Sequence, residues 1–192
     1  MRRSLLALSI AALLGAVSAP ALAQPGDPAP IIAAQKTALA ELSEMDGVWR
    51  GPAWTILPGG QKHEVTQTER IGPLLDGAIK LVEGRGYNAD GTTGFNAFAT
   101  ISYDPARKAY TMHSYAQGRS GDFPLTPTVD GYIWTIPAGG ATIRYTAVIK
   151  DGRWREIGEY LIEGQPPRQF FEMNLVRVSD SNWPTAGAVP PK

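Results

Sequence analysis

Few side chains in this sequence have the chemistry of a reactive or metal-binding site. The chain has 192 residues, of which two are histidine and none is cysteine. His63 and His113 fall in different strand-like segments and on opposite faces, whereas a zinc site needs about four converging ligands. The sequence also lacks a phosphate-binding glycine loop, a Gly-x-Ser-x-Gly elbow and a paired-cysteine motif. We therefore predict no metal and no cofactor.

Glutamates and an arginine form the more informative set, because they share strand faces with apolar residues. Alternate side chains of a strand point to the same face. In the segment KHEVTQTERI, for example, Val65 and Ile71 share a face with Gln67 and Glu69. The same rule, applied to the other segments of this kind, predicts an inward polar set of Gln67, Glu69, Glu83, Arg85, Tyr87, Glu156 and Tyr160.

A lone buried charge is unfavourable, so two interpretations of this polar set stay open. In the first, the residues lie solvated near a barrel mouth or form a structural ion-pair network. In the second, Arg85 with Glu69 and Glu83 anchors the polar head of a bound ligand. Aromatic walls for the apolar body of that ligand are Trp134, Tyr145 and Tyr160. An enzyme that uses a glutamate of raised pKa in the same cavity for acid–base chemistry is a further alternative.

About ten strand-like runs position these residues. Turn signals such as Pro58-Gly59-Gly60, Asp104-Pro105 and Asp151-Gly152 separate the runs. Short turns make consecutive strands antiparallel neighbours, and closing so long a meander removes its two free edges. The prediction is an all-β, closed up-and-down antiparallel barrel of about ten strands, wide enough to hold a small ligand.

One helix precedes the strands. Apolar residues at near-helical spacing predict an amphipathic helix from Ile31 to Glu44 that stops at Gly47 and covers one mouth of the barrel. In the segment GVWRGPAW, Trp49 is expected to plug that end of the barrel while Gly51 and Pro52 bend the strand, since a buried tryptophan mainly supplies packing area.

The first 23 residues have the features of a cleaved signal peptide. Arg2 and Arg3 precede an apolar run, and Ala21-Leu22-Ala23 is a small-x-small cleavage site. We predict export to the periplasm or the medium, with cleavage near Ala23. The expected organisation continues with a proline-rich spacer (24–30), one barrel domain with its helix (31–178) and a flexible tail (179–192).

The charge balance argues against several classes of partner. The chain has 18 basic and 18 acidic residues, and loss of the leader leaves 16 and 18. No basic patch stands out, which argues against nucleic acid and against an anionic membrane surface. The apolar run of the leader is too short for a membrane anchor. The expected partner is a small apolar or amphipathic molecule. The alternative is a filled barrel that acts through its outer surface, for example as a homodimer.

Several segments resemble a known group of proteins. The segment GVWRG, a Gly-x-Trp-x-Gly motif that opens a strand meander, resembles the calycin superfamily of lipocalin-like barrels. Residues 38–178 resemble an exported bacterial domain family of unknown function through TQTERIGPLLDGAIKLVEGRGY, FNAFATISYD, SYAQG and FEMNLVRV. That resemblance implies a closed barrel of about ten strands with an internal cavity.

The opening motif also resembles the haem-binding nitrobindins. That resemblance implies iron held by a histidine on a late strand. No histidine follows His113 in this chain, so we expect the fold of those barrels without histidine-ligated haem. Ligation by a tyrosine is an alternative that the sequence leaves open.

Overall fold

The described part of the chain is a helix followed by ten strands. A computed structural model describes residues 26–183, and the predicted signal peptide (1–23) and residues 184–192 of the predicted tail lie outside that range. Helix α1 (Ala29–Ala40) and a 3₁₀ turn (Ser43–Met45) precede β1, and a second 3₁₀ turn (Leu75–Gly77) joins β2 to β3. The strands are β1 (Gly47–Ile56), β2 (Lys62–Leu74), β3 (Ile79–Tyr87), β4 (Thr93–Asp104), β5 (Ala109–Ala116), β6 (Arg119–Thr128), β7 (Gly131–Pro137), β8 (Thr142–Lys150), β9 (Arg153–Leu161) and β10 (Arg168–Ser179).

The ten strands form one closed antiparallel sheet. Each strand pairs with its neighbours in sequence, and β1 also pairs with β10, so the barrel closes between the first and last strands. Closure pairs the N–H and C=O groups that would otherwise be exposed along two edges. The predicted closed up-and-down barrel of about ten strands is therefore confirmed.

The helix begins earlier and ends earlier than the predicted Ile31–Glu44. It covers Ala29–Ala40, so it takes the last two residues of the predicted spacer. The Asp27 carboxylate accepts a hydrogen bond from the Ala29 N–H at 2.9 Å. A proline in the first turn also favours this start, because its missing N–H has no partner to lose there. After Glu41 the chain tightens into the 3₁₀ turn.

The helix is not amphipathic in the predicted sense. Only Ala38 and Leu39 are buried, and Ile31 and Ile32 are exposed. The cause is composition: alanine and isoleucine occur on all sides of the helix, so its apolar residues do not form one stripe. No helix within residues 26–183 combines the length and the apolar character needed to cross a bilayer.

The barrel is closed at the end where β1 begins. Leu39, Leu42 and Met45, from the helix and the turn, belong to the same buried core as the strand residues at that end. Trp49 donates its indole Nε1–H to the Met45 carbonyl at 2.9 Å. Its ring meets the edge of Trp154 with 5.6 Å between centroids. These contacts place Trp49 in the barrel end beside the helical segment, where the sequence puts the plug.

Residues 180–183, the described residues after β10, lie against the outer wall, although the sequence predicts a flexible tail from residue 179. Trp183 donates its indole Nε1–H to the Arg70 carbonyl at 3.1 Å, and the Arg70 guanidinium stacks 3.9 Å from the ring centroid. Gly72 permits this approach, since a Cβ there would lie 2.8 Å from the Trp183 Cβ and 2.3 Å from the Ser181 Oγ. The sequence does not predict this attachment, because a tertiary contact between residues far apart in the chain leaves no local sequence pattern.

We expect Trp183→Ala to lower the free energy of unfolding by about 1–2 kcal/mol, because it removes one hydrogen bond and one cation–π contact. Urea denaturation of the full chain, followed by circular dichroism, measures this difference. Asn182→Ala is the matched control, since Asn182 is exposed beside it. Equal stability of the two variants would contradict the docking of this segment.

Candidate functional site

Two glutamates lie inside the barrel, each on a different strand. Glu69 and Gln67 point inward from β2 and are 8% and 4% exposed. The Gln67 amide donates from Nε2 to Glu69 Oε1 at 2.6 Å. The second carboxylate oxygen, Oε2, accepts no hydrogen bond from the described residues. One acceptor of this buried side chain is therefore left for another molecule.

The second glutamate, Glu156 on β9, is 5% exposed and accepts two hydrogen bonds from β7. The Tyr132 hydroxyl donates to Oε2 at 2.7 Å, and the Trp134 indole N–H donates to Oε1 at 3.2 Å. We refer to the set Gln67, Glu69, Tyr132 and Glu156 as the polar floor.

Burial raises the pKa of both carboxyl groups. For Glu69, loss of water outweighs the hydrogen bond from Gln67, and with the charges of Glu156 and Glu83 the pKa is raised to about 8. For Glu156, loss of water again raises the pKa, and the hydrogen bonds from Tyr132 and Trp134 offset part of the rise. Glu69 is consequently protonated over much of the neutral range.

Basic side chains on the inward face stand far from the polar floor. At the closed end, Lys80 pairs with Asp46 and lies opposite Pro73, four residues beyond Glu69 on β2. At the other end, Arg168 lies opposite Tyr160, four residues beyond Glu156 on β9. Four residues of strand span roughly 13 Å. The two carboxyl groups therefore share the interior without a neighbouring cation.

An aromatic wall extends from the polar floor to the end of the barrel where β1 stops. Trp134 and Tyr145 stack with 4.3 Å between centroids and 9° between planes. We define the aromatic wall as these two residues, their ring neighbours Phe123, Phe170 and Phe171, and Tyr160, whose ring contacts Phe170. All six side chains are only half-buried although they belong to the inward side. Solvent therefore reaches the interior at this end, which is the open end of the barrel.

Small residues line the opposite side of the interior. Register pairs place Gly84, Ala97 and Ala116 side by side on β3, β4 and β5. Gly84 has a specific role, since a Cβ there would lie 2.8 Å from Glu69 Oε1. The Glu69 carboxylate thus rests directly on the β3 backbone. A depression of about 460 Å³ at the open rim is lined by residues of both faces, with Ala97 and Ala116 from the inner side and Phe98 and Tyr115 from the outer side.

Three residues of the predicted inward set point outward instead. Glu83 accepts hydrogen bonds from Arg70 at 2.8 Å and from Arg85 at 2.9 Å on the outer face of β2 and β3. Arg85 is exposed, and Tyr87 shares its face by alternation. The predicted anchor of Arg85 with Glu69 and Glu83 is therefore wrong, because the wall of the barrel separates Glu69 from the other two.

The error in β3 has a physical cause. Its inward face carries Gly84 and Gly86, whose missing side chains make room for Glu69 and Gln67. Its outward face carries Leu81, which is buried opposite Gly72, where Ser181 and Trp183 lie against the wall. Alternation therefore assigns the face of Leu81 to the interior, because the true inward face carries glycines instead of apolar side chains.

The other predicted site residues lie on the inward side. They are Gln67, Glu69, Trp134, Tyr145, Glu156 and Tyr160. Sequence reasoning missed Tyr132, although it alternates with Trp134 in the segment YIWTIP and the same face rule applies to it. It also missed Phe170, which joins the aromatic wall at an irregularity in the β9–β10 register that breaks the alternation.

The histidines are placed away from the polar floor. His113 lies on the outer face and pairs with Asp122, and His63 lies near the start of β2 at the open rim. Within residues 26–183, no group of three or more histidine or acidic side chains could hold a metal ion. The inward positions of β8 to β10 carry no histidine, so they do not fit a histidine-ligated haem.

Comparison with known proteins supports the barrel fold and does not assign the chain to a family. No protein-family model matches the sequence, and no curated protein sequence matches it. Among solved structures, the chain is similar to the crystal structure of Rv2717c from M. tuberculosis. The TM-score is 0.54 at 13% identity, covering 75% of this chain and 97% of that one. At this identity the likeness shows a shared barrel architecture alone.

Proposed function

We propose that this protein is an exported lipocalin-like barrel that binds a small, largely apolar molecule through its open end. The observation that carries the proposal is the half-exposed aromatic wall above a buried polar floor. Ligand pockets are typically concave and mostly apolar, with a few polar groups that fix orientation. The aromatic wall supplies the apolar lining. The small residues opposite it supply the concave shape, and Glu69 Oε2 supplies a polar group.

The same features argue against a filled barrel that acts only through its outer surface. In a filled interior, inward rings would be buried like Trp49 and Trp154, which are 1% and 2% exposed. Trp134 and Tyr145 have the same inward orientation but remain half-buried. Their accessible faces support an interior that a ligand can enter from the rim.

Export is part of the proposal and rests on the leader sequence. A barrel without cysteine needs no disulfide to fold outside the cytoplasm. Native mass spectrometry of the protein purified from the periplasm of its own cells measures cleavage near Ala23, a co-purified small molecule and the assembly state together. A chain that keeps its first 23 residues in the cytoplasm would overturn the export.

We expect the neutral fluorophore prodan to bind the full chain saturably and to shift its emission to the blue, because it exchanges water for the aromatic wall. In Ala97→Trp a large ring fills the space opposite that wall, so prodan affinity should fall by about tenfold or more. Asn96→Trp is the matched control. It adds the same ring one residue away on the outer face, and it should bind like the wild type.

Equal loss in both variants, or no saturable prodan binding to the wild type, would overturn binding inside the barrel. Circular dichroism of each variant shows whether the barrel is folded. Should Ala97→Trp fail to fold, Ser114→Phe provides a second test from the inward face of β5, where Ser114 lies opposite Ala99.

A further inference from the structure

We infer that the molecule bound inside the barrel is an organic cation, an ammonium carried on an apolar or aromatic body, with its nitrogen against Glu69 and Glu156. This inference rests on the proposed function and names the chemical class of its ligand. It follows from three properties of the interior: its charge, its free hydrogen-bonding group and the position of its rings.

The first property is uncompensated acidity. Glu69 and Glu156 both point into the interior, where they are 8% and 5% exposed, and the carboxylates of Glu156 and Glu83 raise the pKa of Glu69. Lys80 is occupied by Asp46 at the closed end, and Arg119 and Arg168 lie exposed at the open rim. Buried carboxylates are normally paired with a cation. Here the described residues supply none beside them, and a bound ammonium would.

The second property is the free acceptor. Glu156 has both carboxylate oxygens engaged by Tyr132 and Trp134. Glu69 has one engaged oxygen, and its Oε2 accepts nothing from residues 26–183. When Glu69 is ionised, an ammonium, which carries N–H donors and no acceptor, satisfies this oxygen and its charge in one contact. An alcohol would satisfy the oxygen alone, and the ionised form would repel a carboxylate ligand.

The third property is the position of the aromatic wall. Trp134 donates to Glu156 at 3.2 Å and stacks on Tyr145 at 4.3 Å. The wall therefore begins at the polar floor and continues toward the open end. A ligand with its nitrogen at the floor places its apolar body along these rings, with the body toward the rim.

Binding of a cation should also release a proton. With a pKa of about 8, Glu69 is mainly protonated at pH 7 in the free protein. A nearby ammonium favours the carboxylate form and lowers that pKa, so up to about one proton leaves per ligand. The titratable groups near Glu69 are Glu156 and Tyr132 across the interior, with Glu83 acting through the wall, and its hydrogen-bond partner is Gln67.

Three probes of similar size and different charge test the inference: phenethylammonium, 2-phenylethanol and 3-phenylpropionate. We expect isothermal titration at pH 7 to give phenethylammonium an affinity at least about tenfold above that of 2-phenylethanol. We expect no saturable binding of 3-phenylpropionate. Repeating the ammonium titration in phosphate and in Tris, which differ in heat of ionisation, measures the released proton.

Glu69→Gln keeps the shape and the contact with Gln67 but removes the charge. It should abolish most of the preference for the ammonium over 2-phenylethanol, and it should abolish the proton release. Glu64→Gln is the matched control on the outer face of β2, where Glu64 pairs with Lys62 in solvent, and it should behave like the wild type.

The outcomes separate the inference from the proposed function. If prodan and 2-phenylethanol bind but the ammonium has no advantage, the cation assignment is overturned and the binding barrel stands. If the anion binds best, the assignment is likewise wrong. If neither prodan nor any of the three probes binds, both fail.

Discussion

Trp49→Ala is expected to lower the free energy of unfolding by about 3–5 kcal/mol, the range for removal of a large buried aromatic side chain. Trp49 is 1% exposed, and its ring meets Trp154 edge-on at 5.6 Å. Its N–H also ties β1 to the Met45 carbonyl of the 3₁₀ turn. The substitution therefore opens a cavity at the closed end and releases the segment that covers it.

Urea denaturation followed by far-ultraviolet circular dichroism measures this loss without depending on tryptophan emission. Trp54→Ala is the matched control, since Trp54 lies on the same strand but is half-buried on the outer face near Lys62. It should destabilise by about 1 kcal/mol. Trp49→Phe keeps most of the packing and loses the hydrogen bond, so an intermediate loss is expected. Equal losses for Trp49→Ala and Trp54→Ala would contradict the role of Trp49 as the end plug.

The fold could be predicted from the sequence because its signals are local. Turn residues such as those at Asp151-Gly152 end each strand within a few positions, and short turns force antiparallel neighbours. Closure then follows from the need to pair the two edges. The strands and their antiparallel order need information within one hairpin only, and the long-range pairing of β1 with β10 follows because these two edges are the ones left unpaired.

Six of the nine predicted site residues lie on the inward side for the same reason, and the three on β3 do not. On β2 and β9 the inward face carries Ile71 and Trp154 near Glu69 and Glu156, so alternation identifies it. On β3 the inward face carries glycines, and Leu81 is buried on the outside. The face rule assumes that only one side of a strand is covered. It fails where another segment of the chain covers the outer side.

Replacement of Glu69 by glutamine is expected to stabilise the protein at pH 8 by about 3–5 kcal/mol and to have little effect near pH 4. The ordinary pKa of a glutamate is 4.5, and in the folded protein that of Glu69 is raised to about 8. Between these values the folded chain keeps a proton that the unfolded chain has lost. Wild-type stability therefore falls as pH rises through this window, and glutamine, which does not titrate, removes that contribution.

Urea midpoints of the wild type and of Glu69→Gln, measured from pH 4 to pH 9, test this dependence. The two curves should meet at low pH and separate as pH rises. A smaller decline should persist in Glu69→Gln, because the pKa of Glu156 is also raised by burial. Glu64→Gln should follow the wild type within about 0.5 kcal/mol, since Glu64 is exposed. Parallel curves for the wild type and Glu69→Gln would show that Glu69 is not buried as described.

The same substitution is expected to act in opposite directions on stability and on ligand binding. Glu69→Gln should make the folded barrel more stable at pH 8 and should weaken binding of phenethylammonium by about tenfold at pH 7. If the Glu69 carboxyl only filled space, Glu69→Gln would raise the stability at pH 8 and leave the affinity for phenethylammonium unchanged. Measured together on one variant, the two results test whether the buried acidity of the polar floor serves a bound cation, since a structural role predicts a gain in stability and unchanged affinity.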